Sequence, residues 1–301
     1  MTTETKKMTF LERLAEGTTL IADGATGTYL QARGLEPGGD PEAMNVTEPE
    51  TVRGMAADYL AAGSELVQTN SFGGSRFMQA KYGYGDQVSE LNRLAAQHAR
   101  GEADKADGPR YVAGSMGPTG ELIVPVGETE PDDVFQAFAE QAKALEMGGV
   151  DVIVIETMIS VEEAKLAVRA VKEHTNLPVA ALTTFDKGPR GFFTMMGDTP
   201  ESAVDALTEA GADILGTNCG NGIDIMVELG ERFRAATDGP VWLNSNAGIP
   251  LIRQGQLIYP ESPEQMAAGF KKLSGMGIEI IGGCCGTTPD HIKALAEAVR
   301  G

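Results

Sequence analysis

The sequence predicts a single (β/α)8 barrel (TIM barrel), on three observations. Eight short apolar, β-branched runs recur along the chain, each is followed by glycine-rich or polar residues, and each then gives way to a helical pattern. Strands of buried-type composition that each lead to a helix make a parallel sheet. Eight such units in 301 residues suit a barrel of about 250 residues plus insertions. An open doubly wound sheet usually begins with a glycine-rich phosphate turn, and "DGATGTYLQARG" after the first run does not match it.

The predicted strands are "TLIADG" (19–24), "ELVQTN" (65–70), "RYVAGS" (110–115), "DVIVIET" (151–157), "PVAALTT" (178–184), "ADILGTN" (212–218), "PVWLNSN" (240–246) and "IEIIGG" (278–283). The helices between them carry start and stop signals. "PETVRGMAADYLAAG" opens on Pro49 and stops at Gly63, and "PDDVFQAFAEQAKALEMGG" has acids in its first turn and stops at Gly148. "SVEEAKLAVRAVKEH" and "TPESAVDALTEAG" follow the same pattern, and "TPDHIKALAEAVR" has Pro289 at its first helical position. No linker or low-complexity tract interrupts the series, so one domain over 1–301 is expected, with 1–17 as an N-terminal extension.

The formal charge of −19, from 24 basic and 43 acidic residues, argues against nucleic acid or an anionic membrane surface as the main partner. No apolar run is long enough to cross a bilayer, and "MTTETKKMTF" lacks the apolar core of a signal peptide. A cytoplasmic protein is expected. The three cysteines, Cys219, Cys284 and Cys285, are an odd number and a poor disulfide framework. Count alone leaves open one buried thiol and a chance pair. Placement separates the readings.

Catalytic groups of such barrels stand at the C-terminal ends of the strands. Cys219 follows the sixth strand, and Cys284 and Cys285 follow the eighth, so all three fall on the catalytic rim. Neighbours in a strand point to opposite faces, but the pair lies just past its strand. Gly282, Gly283 and Gly286 allow a sharp turn there, through which both sulfurs can meet Cys219. Three thiolates and an open position fit a catalytic zinc site. Such an electron-rich centre suits activation of a fourth thiol better than amide hydrolysis.

With "DGATGTYLQARG", "TNSFGG", "GSMGPTG", "VIETM", "GTNCG", "NAGIP" and "GGCCGTTPDHI" in order, the chain from about Thr18 to Arg300 resembles the homocysteine-binding methyltransferase family. It is most similar to the N-terminal homocysteine module of cobalamin-dependent methionine synthase. The resemblance implies a zinc-containing barrel that methylates homocysteine or a related thiol to give methionine or its analogue. It assigns Cys219, Cys284 and Cys285 as zinc ligands and places Asp23 and Glu156 on the substrate ammonium. It offers the N–H groups of Ser115 and Met116 to the substrate carboxylate, and Thr69 and Asn70 to the pocket wall. Asn246 is implied at the open metal position until thiol arrives, with Asn244, of the same strand parity, ranked below it.

His98 and His174 sit in helical patterns and His291 in the first turn of the last helix, so none is expected on the metal. Met195 and Met196 are expected to pack. A sulfonium or quaternary-ammonium donor needs an aromatic cage. The one tryptophan, Trp242, points into the barrel, and Phe72 precedes two glycines. The resemblance therefore favours a methyl-corrinoid carried by a separate partner protein over betaine or S-methylmethionine. A zinc-holding subunit without turnover is the reading from another class. Aldolase chemistry is disfavoured, because none of the eight strands ends in the lysine of a Schiff base.

Overall fold

All eight predicted strands are present in the computed structural model, which describes residues 8–253 and 256–301. They are β1 (Leu20–Ile21), β2 (Leu66–Gln68), β3 (Tyr111–Met116), β4 (Val152–Met158), β5 (Val179–Thr183), β6 (Ile214–Asn218), β7 (Val241–Ser245) and β8 (Ile280–Gly283). Every neighbouring pair is parallel, and the order runs β1-β8-β7-β6-β5-β4-β3-β2. A bridge between Ala22 and Leu66 and the Glu65 N–H donated to the Ile21 carbonyl at 2.8 Å bring β2 back against β1 and close the barrel.

Alternation along the strands builds two cores. Val152 and Val154 of β4 face inward with Leu20, Leu66, Tyr111 and Trp242, whereas Ile153 and Ile155 face the helices. Between Ile155 and Met158 the β4–β5 register slips by one residue, so two residues of β4 oppose one of β5. This bulge falls on Glu156 and Thr157, and bulges of this kind re-aim side chains beside active sites. Close approach constrains β6 as well. A methyl group at Gly216 would stand 1.8 Å from the Trp242 carbonyl oxygen, a space only glycine fits.

The helix signals work as expected, with one difference. Proline opens the helices Pro49–Ala62, Pro131–Gly148 and Pro200–Ala210. Gly148, expected as a stop, is the last helical residue, and the left-handed cap is Gly149 (φ 97°). Gly148 is reserved for packing, since a methyl there would lie 2.4 Å from the Ala96 side chain. Of the expected N-terminal extension, residues 1–7 lie outside the described residues, and residues 8–17 pack against the end of the barrel. Helix Phe10–Leu14, capped by Thr9 and Glu12, inserts Phe10 and Leu14 into the inner core, with the Phe10 ring 5.7 Å from that of Tyr111. Arg13 ties it to Glu65 at 3.1 Å. Two hairpins unforeseen in the sequence, Asp186–Gly188 with Gly191–Phe193 and Leu251–Arg253 with Gln256–Ile258, extend the loops after β5 and β7. Met195 and Met196, expected to pack, are exposed in the first of these loops. Among the described residues no helix is long and apolar enough to cross a membrane.

Candidate active site and metal centre

Cys219 lies one residue beyond β6, and Cys284 one residue beyond β8, with Cys285 beside it in the following turn. The three sulfurs lie within 4.8 Å of one another, with 4.0 Å between those of Cys219 and Cys285. None is in a disulfide. Backbone bonds set the arrangement. Cys219 N–H donates to the Asn244 carbonyl at 3.2 Å, and Cys284 N–H to the Ser245 carbonyl at 2.7 Å, so β7 carries the cysteines of both neighbours. Thr287 closes the turn, its hydroxyl donating to the Cys284 carbonyl at 2.8 Å and accepting from Ala25 N–H at 3.1 Å.

Of the three glycines expected to bend this turn, only Gly286 is left-handed (φ 81°). Gly282 and Gly283 are needed for space, since a methyl would stand 2.5 Å from Asn244 Oδ1 at the first and 2.2 Å from Thr287 Oγ1 at the second. The backbone reversal on the other side is made by Cys219 itself (φ 64°), a conformation costly for a residue with a Cβ.

The trio fits a zinc ion. In a tetrahedral site with Zn–S bonds of about 2.3 Å, the sulfurs stand about 3.8 Å apart, close to the separation found. The Cys284 and Cys285 thiols hydrogen-bond to Cys219 and hold its sulfur far below the usual thiol range, at about 3, while Cys284 and Cys285 are pushed upward. The cluster thus already favours a thiolate. The Asn246 side chain hydrogen-bonds to Cys219, and its buried Oδ1 has no partner. Its oxygen is therefore free for a cation. The Asn244 side chain, ranked below it, accepts from the Trp242 indole N–H at 2.7 Å.

The cysteines line a cavity of about 400 Å³ at the barrel mouth together with Gln68, Asn70, Ser115 and Glu156. That size is within the range of small-molecule sites. Glu156 is buried, accepting at Oε1 from Gln68 Nε2 (2.7 Å) and Ser115 Oγ (2.5 Å) and at Oε2 from Asn218 Nδ2 (3.1 Å). Asp23, expected on the substrate, is not among the cavity-lining residues; it is buried behind Gln68, where Oδ2 accepts from Gln68 N–H at 2.7 Å and buried Oδ1 has no partner. Burial is the main force on both acids. It lifts Asp23 to about 8, helped by the Glu156 charge, and Glu156 to about 7, helped by Cys219. Neither acid is stabilised by a lysine or arginine among the described residues. One glutamine thus bridges two buried carboxyl groups, through its side chain to Glu156 and its backbone N–H to Asp23.

Ser115 and Met116, expected to offer N–H groups to the substrate carboxylate, and Thr69, expected in the wall, are placed as follows. Ser115 lines the cavity, but its N–H donates to Thr69 Oγ1 at 3.0 Å and its hydroxyl serves Glu156. Met116 has the opposite strand parity and is fully buried among the helix-facing residues, away from the cavity. Thr69 is likewise behind the wall, its hydroxyl shared with Ser71 at 2.6 Å. Asn70 does line the cavity, anchored to the Pro41 carbonyl at 2.7 Å.

Gln68 and Asn218 escaped the sequence reading, although inward parity on β2 and β6 marks both. Tyr259 escaped it too. Its ring lies on Gly286 and its side chain reaches Cys285. The histidines have other partners: His291 is held between Thr288 and the Glu261 carbonyl, His98 bonds the Asn45 carbonyl at 2.8 Å, and the His174 ring packs against Phe135.

The fold is shared with the homocysteine methyltransferase MmuM of Escherichia coli in its metallated form, at a TM-score of 0.79 and 22% identity over 94% of this chain and 97% of that one. It is also found, at a TM-score of 0.52 and 16% identity, in the carboxyl transferase domain of Rhizobium etli pyruvate carboxylase, covering 90% of this chain and 40% of that one. In sequence, the chain is 34% identical over 308 residues to methionine synthase of Mycobacterium leprae, covering 96% of this chain and 25% of that protein. The Mycobacterium tuberculosis methionine synthase is 34% identical over 299 residues, with 93% and 24% covered. The chain thus spans about a quarter of the length of these relatives. The model of the homocysteine S-methyltransferase family matches residues 20–299, which takes in every barrel strand, all three clustered cysteines and both buried acids: the chain belongs to the homocysteine S-methyltransferase family.

Proposed function

We propose that this barrel methylates the thiol of homocysteine, giving methionine, at a zinc ion held by Cys219, Cys284 and Cys285. The observation that carries this reading is the presence, in the lining of one cavity, of a three-thiol cluster and the buried Glu156 carboxyl, with Asp23 buried behind Gln68 and neither acid matched by a cationic partner among the described residues. Zinc held there would supply the positive charge that keeps an incoming thiol deprotonated near neutral pH while its sulfur stays nucleophilic. Asn246 Oδ1 would complete the donor set.

The chain's own residues select and orient the substrate. Glu156 Oε2 and Asp23 Oδ1 retain acceptor capacity for an ammonium group, and Gln68 fixes both carboxyl groups in place. Transfer forms an S–CH3 bond as the donor's bond to the methyl carbon breaks. The donor leaves with that electron pair, and the thiol proton passes to solvent. Apart from that proton loss, no general base is required.

For the donor, similarity to methionine synthases over almost the whole chain supports a methyl-corrinoid presented by a partner protein or domain. The cavity's outer wall, with Pro41, Phe72, Met78 and Tyr82, is apolar, as suits a bulky, weakly polar carrier. An assay of methionine formation from homocysteine tests this, with methylcobalamin, betaine and S-methylmethionine as separate donors. Turnover is expected with methylcobalamin. Turnover confined to either small donor would overturn the corrinoid assignment, and no methionine with any donor would overturn the activity.

A further inference from the structure

Among the described residues, one non-glycine residue besides Cys219 has a left-handed backbone, and it is β-branched: Thr157, at φ 59°. Such a conformation persists only where the surroundings enforce it. Thr157 is in the β4 bulge, directly after Glu156. What enforces it is the side chain of Asn218, at the end of β6 and wholly buried. Asn218 Oδ1 accepts the Thr157 N–H at 2.7 Å, and Nδ2 donates to Thr157 Oγ1 at 2.8 Å, a two-point clasp on the strained residue. The same Nδ2 reaches Glu156 Oε2 at 3.1 Å and stands 3.8 Å from Cys284 Sγ. Its two hydrogens therefore serve the bulge and the acid, with Cys284 at the margin. The backbone then continues directly into Cys219.

We propose that Asn218 is a positioning residue that fixes the Glu156 carboxylate relative to the thiol cluster, and so makes the site selective for thiols that carry an amino group. One amide spans the acid, the bulge that aims it and the start of the cysteine turn. Without the clasp, Thr157 returns to a right-handed conformation, the bulge shifts and Glu156 swings off the ammonium position. This rests on the reading of Glu156 as an ammonium receptor. It adds the residue that enforces the selectivity.

The test compares homocysteine with 4-mercaptobutanoate, the same thiol without its amino group, by calorimetric Kd and by KM and kcat. The intact protein is expected to prefer homocysteine by at least about a hundredfold. Asn218→Ala is expected to cut that preference at least about tenfold. The loss should come from weaker homocysteine binding, with Kd for 4-mercaptobutanoate changing little. Asn218→Ala combined with Thr157→Gly keeps the test open if the single variant folds poorly, since glycine accepts the left-handed backbone unaided. The double variant is expected to fold and still lack the preference, because glycine relieves the strain without enforcing the bulge and the Asn218 Nδ2 bond to Glu156 is gone. Selectivity retained by both variants would overturn the inference alone. Absence of a preference in the intact protein would overturn the ammonium reading and, with it, this inference.

Discussion

Replacing Cys284 with alanine is expected to remove bound zinc and methyl transfer together. Two sulfurs would remain where three now lie within 4.8 Å. Losing an outer-shell partner of a metal ligand already costs about 10- to 100-fold in affinity or activity, so loss of a ligand should cost at least about a hundredfold in each. Folding should survive, because Cys284 lies beyond the last residue of β8 and its N–H bond to the Ser245 carbonyl belongs to the backbone. Metal analysis after dialysis, initial rates and far-ultraviolet circular dichroism check the three parts. A variant that keeps its zinc but loses turnover would move Cys284 from ligand to some other role.

The second large effect concerns the acids. Glu156→Gln is expected to raise KM for homocysteine at least about tenfold, since it removes the charge facing the ammonium while keeping similar shape. Asp23→Asn should weaken binding in the same way and also change stability, in the opposite sense. Burial raises the Asp23 carboxyl from 3.8 to about 8 in the folded, metal-free protein. Between those values the unfolded chain has released this proton and the folded chain has not, so stability falls as pH rises. Relative to Asp23→Asn, the parent should therefore lose stability from about pH 4 to about pH 8. A tenfold difference in proton affinity between the folded and unfolded chain corresponds to about 1.4 kcal/mol, and a relative loss of at least about 1 kcal/mol is expected. Urea unfolding at both ends of that window measures it. Equal pH dependence in the two proteins would mean that Asp23 is ionised in the fold.

Much of the fold was legible because each strand is an apolar, β-branched run ending in glycine or a polar residue, followed by a helix with its own cap. The cysteines were legible for a related reason: strand ends of a parallel barrel share one rim, so residues 65 positions apart in sequence, Cys219 and Cys284, must be near in space. Strand parity also contained information that motif matching passed over. Gln68 and Ser115 face inward, so the side chains of their successors Thr69 and Met116 point away from that wall. What no local pattern carried was the bulge at Glu156–Thr157 and the left-handed Cys219, because these depend on side chains across the sheet. The glycines show the same limit. Gly282 looked like a flexible turn residue, yet it is required by the proximity of Asn244 on the neighbouring strand.

The most direct test of the central claim is a zinc titration of metal-free protein, with alkylatable thiols counted and methionine formation measured at each point. Saturation is expected at one zinc per chain, with protection of Cys219, Cys284 and Cys285 together and activity that rises in proportion to the zinc bound. Zinc that leaves these thiols open to alkylation, or methionine formed equally well by the metal-free protein, would contradict it.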